Sequence, residues 1–143
     1  YTIDDIWQED YGKSTRQLQR LLRGFRDLPM HAIYIAHRKD KIRKGTTLIE
    51  ESKPSLSEKL CSSVMGYMDY VWYLYTQDVA VDNNDGTFGT RTERYMLTQP
   101  INNYLAKTRG SEFAKALGSI IVNPNMNNIM NVYINTYSIQ NKK

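Results

Sequence analysis

Cysteine is nearly absent: Cys61 is the only one in 143 residues. An internal disulfide is therefore excluded, a cysteine-based metal site has no support, and a reducing compartment fits best. Two histidines do not add up to a zinc ligand set. Long apolar runs are missing as well. None approaches the roughly 18 residues of a membrane span, and no signal peptide is visible, so no membrane partner is expected. Proline (4) and glycine (8) are sparse, and 41% of residues are hydrophobic against 24% charged, which excludes a disordered chain. A strong excess of one charge is lacking too. Lys plus Arg is 19 and Asp plus Glu is 15, so the net charge of +4 permits an acidic partner such as nucleic acid without demanding one. Catalytic carboxylate pairs, nucleophile triads and internal repeats do not stand out.

What is present is one domain's worth of patterned chain. Leu18, Leu21, Leu22, Phe25 and Leu28 recur at helical spacing, with Arg16, Arg20, Arg23 and Arg26 on the opposite side. Ser14 and Gln17 have capping-box spacing, and Pro29 ends the helix. Residues 30–36, MHAIYIA, predict a short strand buried on both faces, as in a parallel sheet. Residues 37–54 carry Arg38, Lys39, Lys41, Arg43 and Lys44 and read as a long, mobile, basic loop. A helix is expected over 55–68, with Ser55 and Glu58 at capping-box spacing. A strand follows at 69–76, Asp-Gly turn chemistry at 82–89, and a return strand at 91–99. Tyr67, Tyr70, Trp72, Tyr73 and Tyr75 read as core aromatics rather than base platforms, and Asp69 as a cap before the strand. Residues 102–112 fit a polar turn or a short helix, residues 113–118 a short helical piece, and for the Asn-rich tail from 120 helix and strand both fit.

Gly12, Lys13 and Ser14 end like a phosphate loop, G-x-x-x-x-G-K-[ST]. The first glycine position is Trp7, and Glu9 and Asp10 stand where phosphate oxygens belong. Asp4 and Asp5 could mimic the end of a Walker-B strand, but little chain precedes them. The favoured reading of 12–15 is a capped helix start. The chain opens at Tyr1 rather than at a methionine, which reads as part of something longer.

The order of segments carries a resemblance. DYGKSTRQLQRLLRGFRDLPMHAIYIAH, then KPSLSEKLCSSVMGYMDYVWYL, then RYMLTQP and YLAKTRG, resembles phage-encoded RecA-like ATPases, the nucleotide-binding group linked to single-strand annealing recombination. It covers roughly residues 10–118. The resemblance implies an α/β fold, the C-terminal part of a RecA-like P-loop NTPase core: three layers around a central, mostly parallel sheet, with the part that holds the phosphate loop and Walker-B aspartate missing. Residues 1–118 would be that core and 119–143 an Asn-rich extension.

The resemblance also implies an ATP-binding protein acting in DNA recombination or annealing, with ATP hydrolysed at subunit interfaces, ATP and Mg²⁺ required by the complete protein, and a host-cell cytoplasmic location. Partners would be single-stranded DNA and head-to-tail copies of itself. His37, after the strand, would be a polar sensor of the γ-phosphate. Lys107 and Arg109 would reach a neighbour's ATP, where positive charge meets charge redistributing in phosphoryl transfer. DNA would be met by Arg38, Lys39, Lys41, Arg43 and Lys44, with Arg16, Arg20 and Arg23 of the helical stripe. The competing reading is a non-catalytic nucleic-acid-binding or assembly module without its own nucleotide site.

Overall fold

The computed structural model describes residues 8–140. Asp4, Asp5 and Trp7, weighed above as parts of a nucleotide site, lie outside the described residues. The chain divides into two compact units. One combines the residues up to Lys41 with Ser52–Met68; the other combines Ile42–Glu51 with the residues from Asp69 onward.

In the first unit, α1 (Gln8–Arg26) and α2 (Glu58–Tyr67) are the helices. Helix α1 is amphipathic as its spacing predicts, and among its described side chains only Leu22 is buried; Leu60 and Cys61 are the buried residues of α2. Gln19 of α1 donates to the Ser63 hydroxyl of α2 at 3.1 Å. Helix α1 does not begin at Ser14: residues 12–15 lie inside it. Nor does Ser55 cap α2. The N-cap is Ser57, in extended backbone and without a side-chain cap bond, and Glu58 turns instead to Lys53 at 2.5 Å.

The expected fold class is overturned. Among the described residues there is no central parallel sheet and no RecA-like core; the sheets are small and antiparallel, two of two strands and one of three. The reason is connectivity. A parallel pair needs a crossover of about a dozen residues or more, whereas the main hairpins here close through tight turns. Residues 30–36 show the cost most plainly. They form no strand, and Met30, Ile33 and Ile35 are exposed (Ile35 by 97%). A doubly buried strand requires hydrogen-bonding neighbours on both edges, and no described strand pairs with this segment.

The basic stretch 37–54 is not a loop but a hairpin, β1 (Arg38–Ile42) and β2 (Ile49–Pro54). Its turn is closed by Arg43 N–H to the Leu48 carbonyl at 2.9 Å and Thr46 N–H to the Arg43 carbonyl at 3.0 Å. Gly45 takes φ of +77°, where a side chain would be strained. The two-unit division passes through this hairpin, its root belonging to the first unit and its tip to the second.

The second unit is built on a three-stranded antiparallel sheet in the order β4-β5-β7, with β4 (Tyr73–Asp82), β5 (Phe88–Leu97) and β7 (Ile120–Val122). The Asp-Gly turn predicted at 82–89 joins β4 to β5, in the register Tyr75 opposite Tyr95 and Leu74 opposite Met96. A separate two-residue pair joins β3 (Tyr70–Val71) to β6 (Lys107–Thr108). Helices α3 (Ser111–Leu117) and α4 (Met126–Gln140) pack together and reach the three-stranded sheet at Met96 and Ile121. There Met96, Phe113, Leu117 and Ile129 form the buried core, joined by Trp72, Ile121, Tyr133 and Tyr137. Phe113 is 1% exposed and meets Tyr70 and Tyr133 edge-to-face at 5.6 and 5.3 Å. Thr98, fully buried, ties the layers: its hydroxyl donates to the Gly118 carbonyl, and its own carbonyl accepts from the Thr108 hydroxyl at 2.8 Å. Burial pushes the Tyr70 phenol above its ordinary pKa. The tail from 120 thus supplies both a strand and a helix to this core.

Candidate functional site

The β1–β2 hairpin gathers the expected DNA-binding cations. Arg38, Lys39, Lys41, Arg43 and Lys44 are all exposed. Two of the arginines are braced by carboxylates: Arg38 meets Asp40 at 2.8 Å, and Arg43 meets Glu50 at 3.6 Å. Asp40 also accepts from the Ser52 hydroxyl at 2.7 Å, which locks β1 to β2. Lys53 is the exception to the exposed pattern, with its side chain 8% exposed against Glu58. That hydrogen bond and ion pair, with weaker help from Lys39 and Lys41, hold the Glu58 carboxyl below its ordinary pKa. The hairpin root is therefore a region of net positive potential stiffened by a few acid–base contacts.

His37 does not stand at the carboxyl end of a buried strand, because no such strand forms. It precedes β1, exposed, and its backbone carbonyl accepts from Ser55 N–H at 2.7 Å. The arginine stripe of α1 splits in two. Arg16 and Arg20 are exposed. Arg23 lies over the Tyr67 ring at 4.8 Å and donates to its hydroxyl at 2.5 Å, and Arg26 approaches the same ring at 5.7 Å.

Lys107 and Arg109 flank Thr108, which is pinned between the Trp72 indole N–H at 3.1 Å and the Thr98 carbonyl. Lys107 sits opposite Val71, half-buried. Arg109 is exposed and tied twice to Asp69, by its guanidinium at 2.8 Å and by its backbone N–H to the Asp69 carbonyl at 2.9 Å. Lys107 and Arg109 belong to the second unit, whereas His37 belongs to the first.

Residues 12–15 cannot cradle a phosphate. A phosphate loop offers free backbone N–H groups; Gly12, Lys13, Ser14 and Thr15 are helical, and Lys13 pairs with Asp10 at 3.6 Å. Among the described residues there is no group of three or more His, Cys, Asp and Glu arranged to hold a metal ion, and no helix is long and apolar enough to cross a membrane.

Four tyrosines escaped the sequence reading as a group. Tyr73 and Tyr75 are not core residues but line the face of the three-stranded sheet opposite the helices. Tyr104 stacks on Tyr73, Tyr73 on Tyr75, and Tyr75 on Tyr95, with centroids 5.0, 5.6 and 5.3 Å apart. The Y-x-Y spacing at 73–75, with Tyr95 placed symmetrically across the Asp-Gly turn, was the available signal. Tyr95 donates to Glu93 at 2.9 Å, which raises the phenol's pKa. Arg91 first and Tyr95 second hold the Glu93 carboxyl low.

No curated protein and no solved structure matches the chain. A family model described as AAA domain matches residues 2–110, about three quarters of its length. The span takes in α1, the basic hairpin, both strands of the long β4–β5 hairpin and the Lys107–Arg109 motif. The chain therefore belongs to the AAA domain family, whose members are nucleotide-binding proteins of the ATPase type.

Proposed function

We propose that the protein is a nucleotide-dependent, phage-encoded factor that engages single-stranded DNA in recombination or annealing, in the host-cell cytoplasm. The observation that carries this reading is the β1–β2 hairpin, whose five cations stay exposed within an AAA-family segment. Phosphate neutralisation by such cations supplies sequence-independent affinity. Arg38, Lys39, Lys41, Arg43 and Lys44 contact the strand, with Arg16 and Arg20 as further phosphate partners. Arg23 is committed in part to Tyr67.

Copies associate head-to-tail, and Lys107 and Arg109 face the ATP·Mg²⁺ of the neighbouring copy. His37, exposed at the hairpin root, senses the bound nucleotide. The Arg109 ion pair with Asp69 is exposed on both sides (60% and 57%), a class of contact that contributes little to stability and yields readily to a phosphate.

The test is ATP turnover by the full-length protein with single-stranded DNA. Arg109→Ala is expected to lower turnover about a thousandfold or more. Asp69→Ala, which breaks the same ion pair but spares the guanidinium, is expected to leave it nearly intact. Equal turnover in wild type and Arg109→Ala removes the trans-acting role.

A second reading has an observation of its own, the helical state of residues 12–15. A module without its own nucleotide site would bind DNA through the hairpin and leave nucleotide to other copies or chains. Titrating the 143-residue chain with ATP and Mg²⁺ separates the two: tight binding by the isolated chain excludes the module.

A further inference from the structure

The geometry points to the tyrosine ladder on the open face of the β4-β5-β7 sheet as a stacking platform for the bases of single-stranded nucleic acid. The inference rests on the single-strand-binding reading and names a second contact surface for it, chemically different from the basic hairpin.

The ladder runs Tyr104, Tyr73, Tyr75, Tyr95, with neighbouring ring planes within 28° of parallel. Register explains it. Side chains alternate faces along a strand, so Met96 of β5 faces the core with its partner Leu74 on the same side but 65% exposed, while Tyr73, Tyr75 and Tyr95 face away beside Leu97, which is 4% exposed. All four rings are half-buried. Offset stacking at these distances leaves part of each aromatic surface in solvent, which a closed core does not do.

Charge selects the occupant. Arg91 lies on the same face as Tyr95, four residues away along β5. At the other end Asn103, next to Tyr104 in the chain, donates to the Ile49 carbonyl and lines a cavity of about 330 Å³ with Arg43. Both arginines keep about two-thirds of their side chains in solvent, 64% for Arg43 and 66% for Arg91. Each is paired with one carboxylate, a contact that a phosphate can displace. A planar π surface with a cation at each end is complementary to a flexible strand of stacked bases and phosphates. A duplex offers no free base faces to it, and a neutral peptide or sugar has no use for the arginines.

The experiment is fluorescence anisotropy of the 143-residue chain with a labelled oligothymidylate and with an abasic oligonucleotide of equal length, at low salt. The abasic strand keeps its phosphates and loses its bases, and wild type is expected to bind it about tenfold more weakly or worse. Tyr75→Leu and Tyr104→Leu are each expected to weaken oligothymidylate binding by about five- to a hundredfold and to leave abasic binding unchanged. Tyr75→Phe, which keeps the ring, is expected to bind as wild type does.

Equal affinity of wild type for the two strands overturns the ladder even if a leucine variant fails to fold. Unchanged oligothymidylate binding in folded leucine variants does the same, and in both cases the hairpin reading stands. No binding of either strand overturns both.

Discussion

Two apolar stretches of similar length meet opposite fates. Residues 30–36 are left without a strand or helix, with Met30, Ile33 and Ile35 exposed, while residues 111–117 form α3 around Phe113, 1% exposed. Both are apolar enough to be buried. The difference is the supply of partners along the chain. Helix α3 shares a core with a sheet made by local antiparallel pairing and with helix α4, which follows it after the single short strand β7. Residues 30–36 would need strands on both edges, and among the described residues none is offered. Apolar pattern states a demand for burial; topology decides whether it is met.

The largest way to break this comparison is Phe113→Ala. Its ring meets Tyr70, Tyr133 and Tyr137, so the loss is expected to cost about 3–5 kcal/mol. Urea denaturation followed by tyrosine and tryptophan fluorescence measures it, and a cost below about 1 kcal/mol would mean that the second unit has another core. Thr98→Val keeps the shape and removes the hydroxyl that donates to the Gly118 carbonyl, for an expected loss of about 1–3 kcal/mol by the same denaturation.

Glu58→Gln probes the first unit through pH. The carboxyl is held below its ordinary value of 4.5, chiefly by Lys53. A depressed carboxylate stabilises the fold above its unfolded pKa, and that contribution disappears as pH falls through the folded one. Wild type is thus expected to melt slightly higher than Glu58→Gln at pH 7, with the gap closing at about pH 3. A gap that widens in acid contradicts the assignment.

The smallest effect sharpens the comparison most. Ile35→Ser is expected to change stability by no more than about 0.5 kcal/mol, since the side chain is 97% exposed. A buried strand at 30–36 would instead make this substitution severely destabilising.

Much of the second unit was legible in the sequence. The β4–β5 hairpin announces itself through aromatic and β-branched residues on either side of Asp85-Gly86, and α3 through its helical spacing and Gly118. The basic hairpin was not legible because β1 is exposed along nearly its whole length and the buried positions of β2, Ser52 and Lys53, are polar. Arg38 to Ile42 shows no apolar alternation. The cations of the candidate site could be named from composition alone, but their ion pairs could not: Arg43 with Glu50, Arg38 with Asp40 and Arg109 with Asp69 depend on register. The tyrosine ladder needed the register most, because Tyr75 and Tyr95 become neighbours only once the hairpin closes.

The central claim is that this chain meets single-stranded DNA through exposed cations. The most direct measurement is the salt dependence of oligothymidylate binding by wild type and by Lys39→Ala/Lys41→Ala. Affinity is expected to fall linearly with salt on logarithmic axes, by roughly 0.7 per phosphate contact, and the double variant is expected to lose roughly 1–2 units of slope. Binding that is absent at low salt, or a slope identical in the two proteins, would contradict the account.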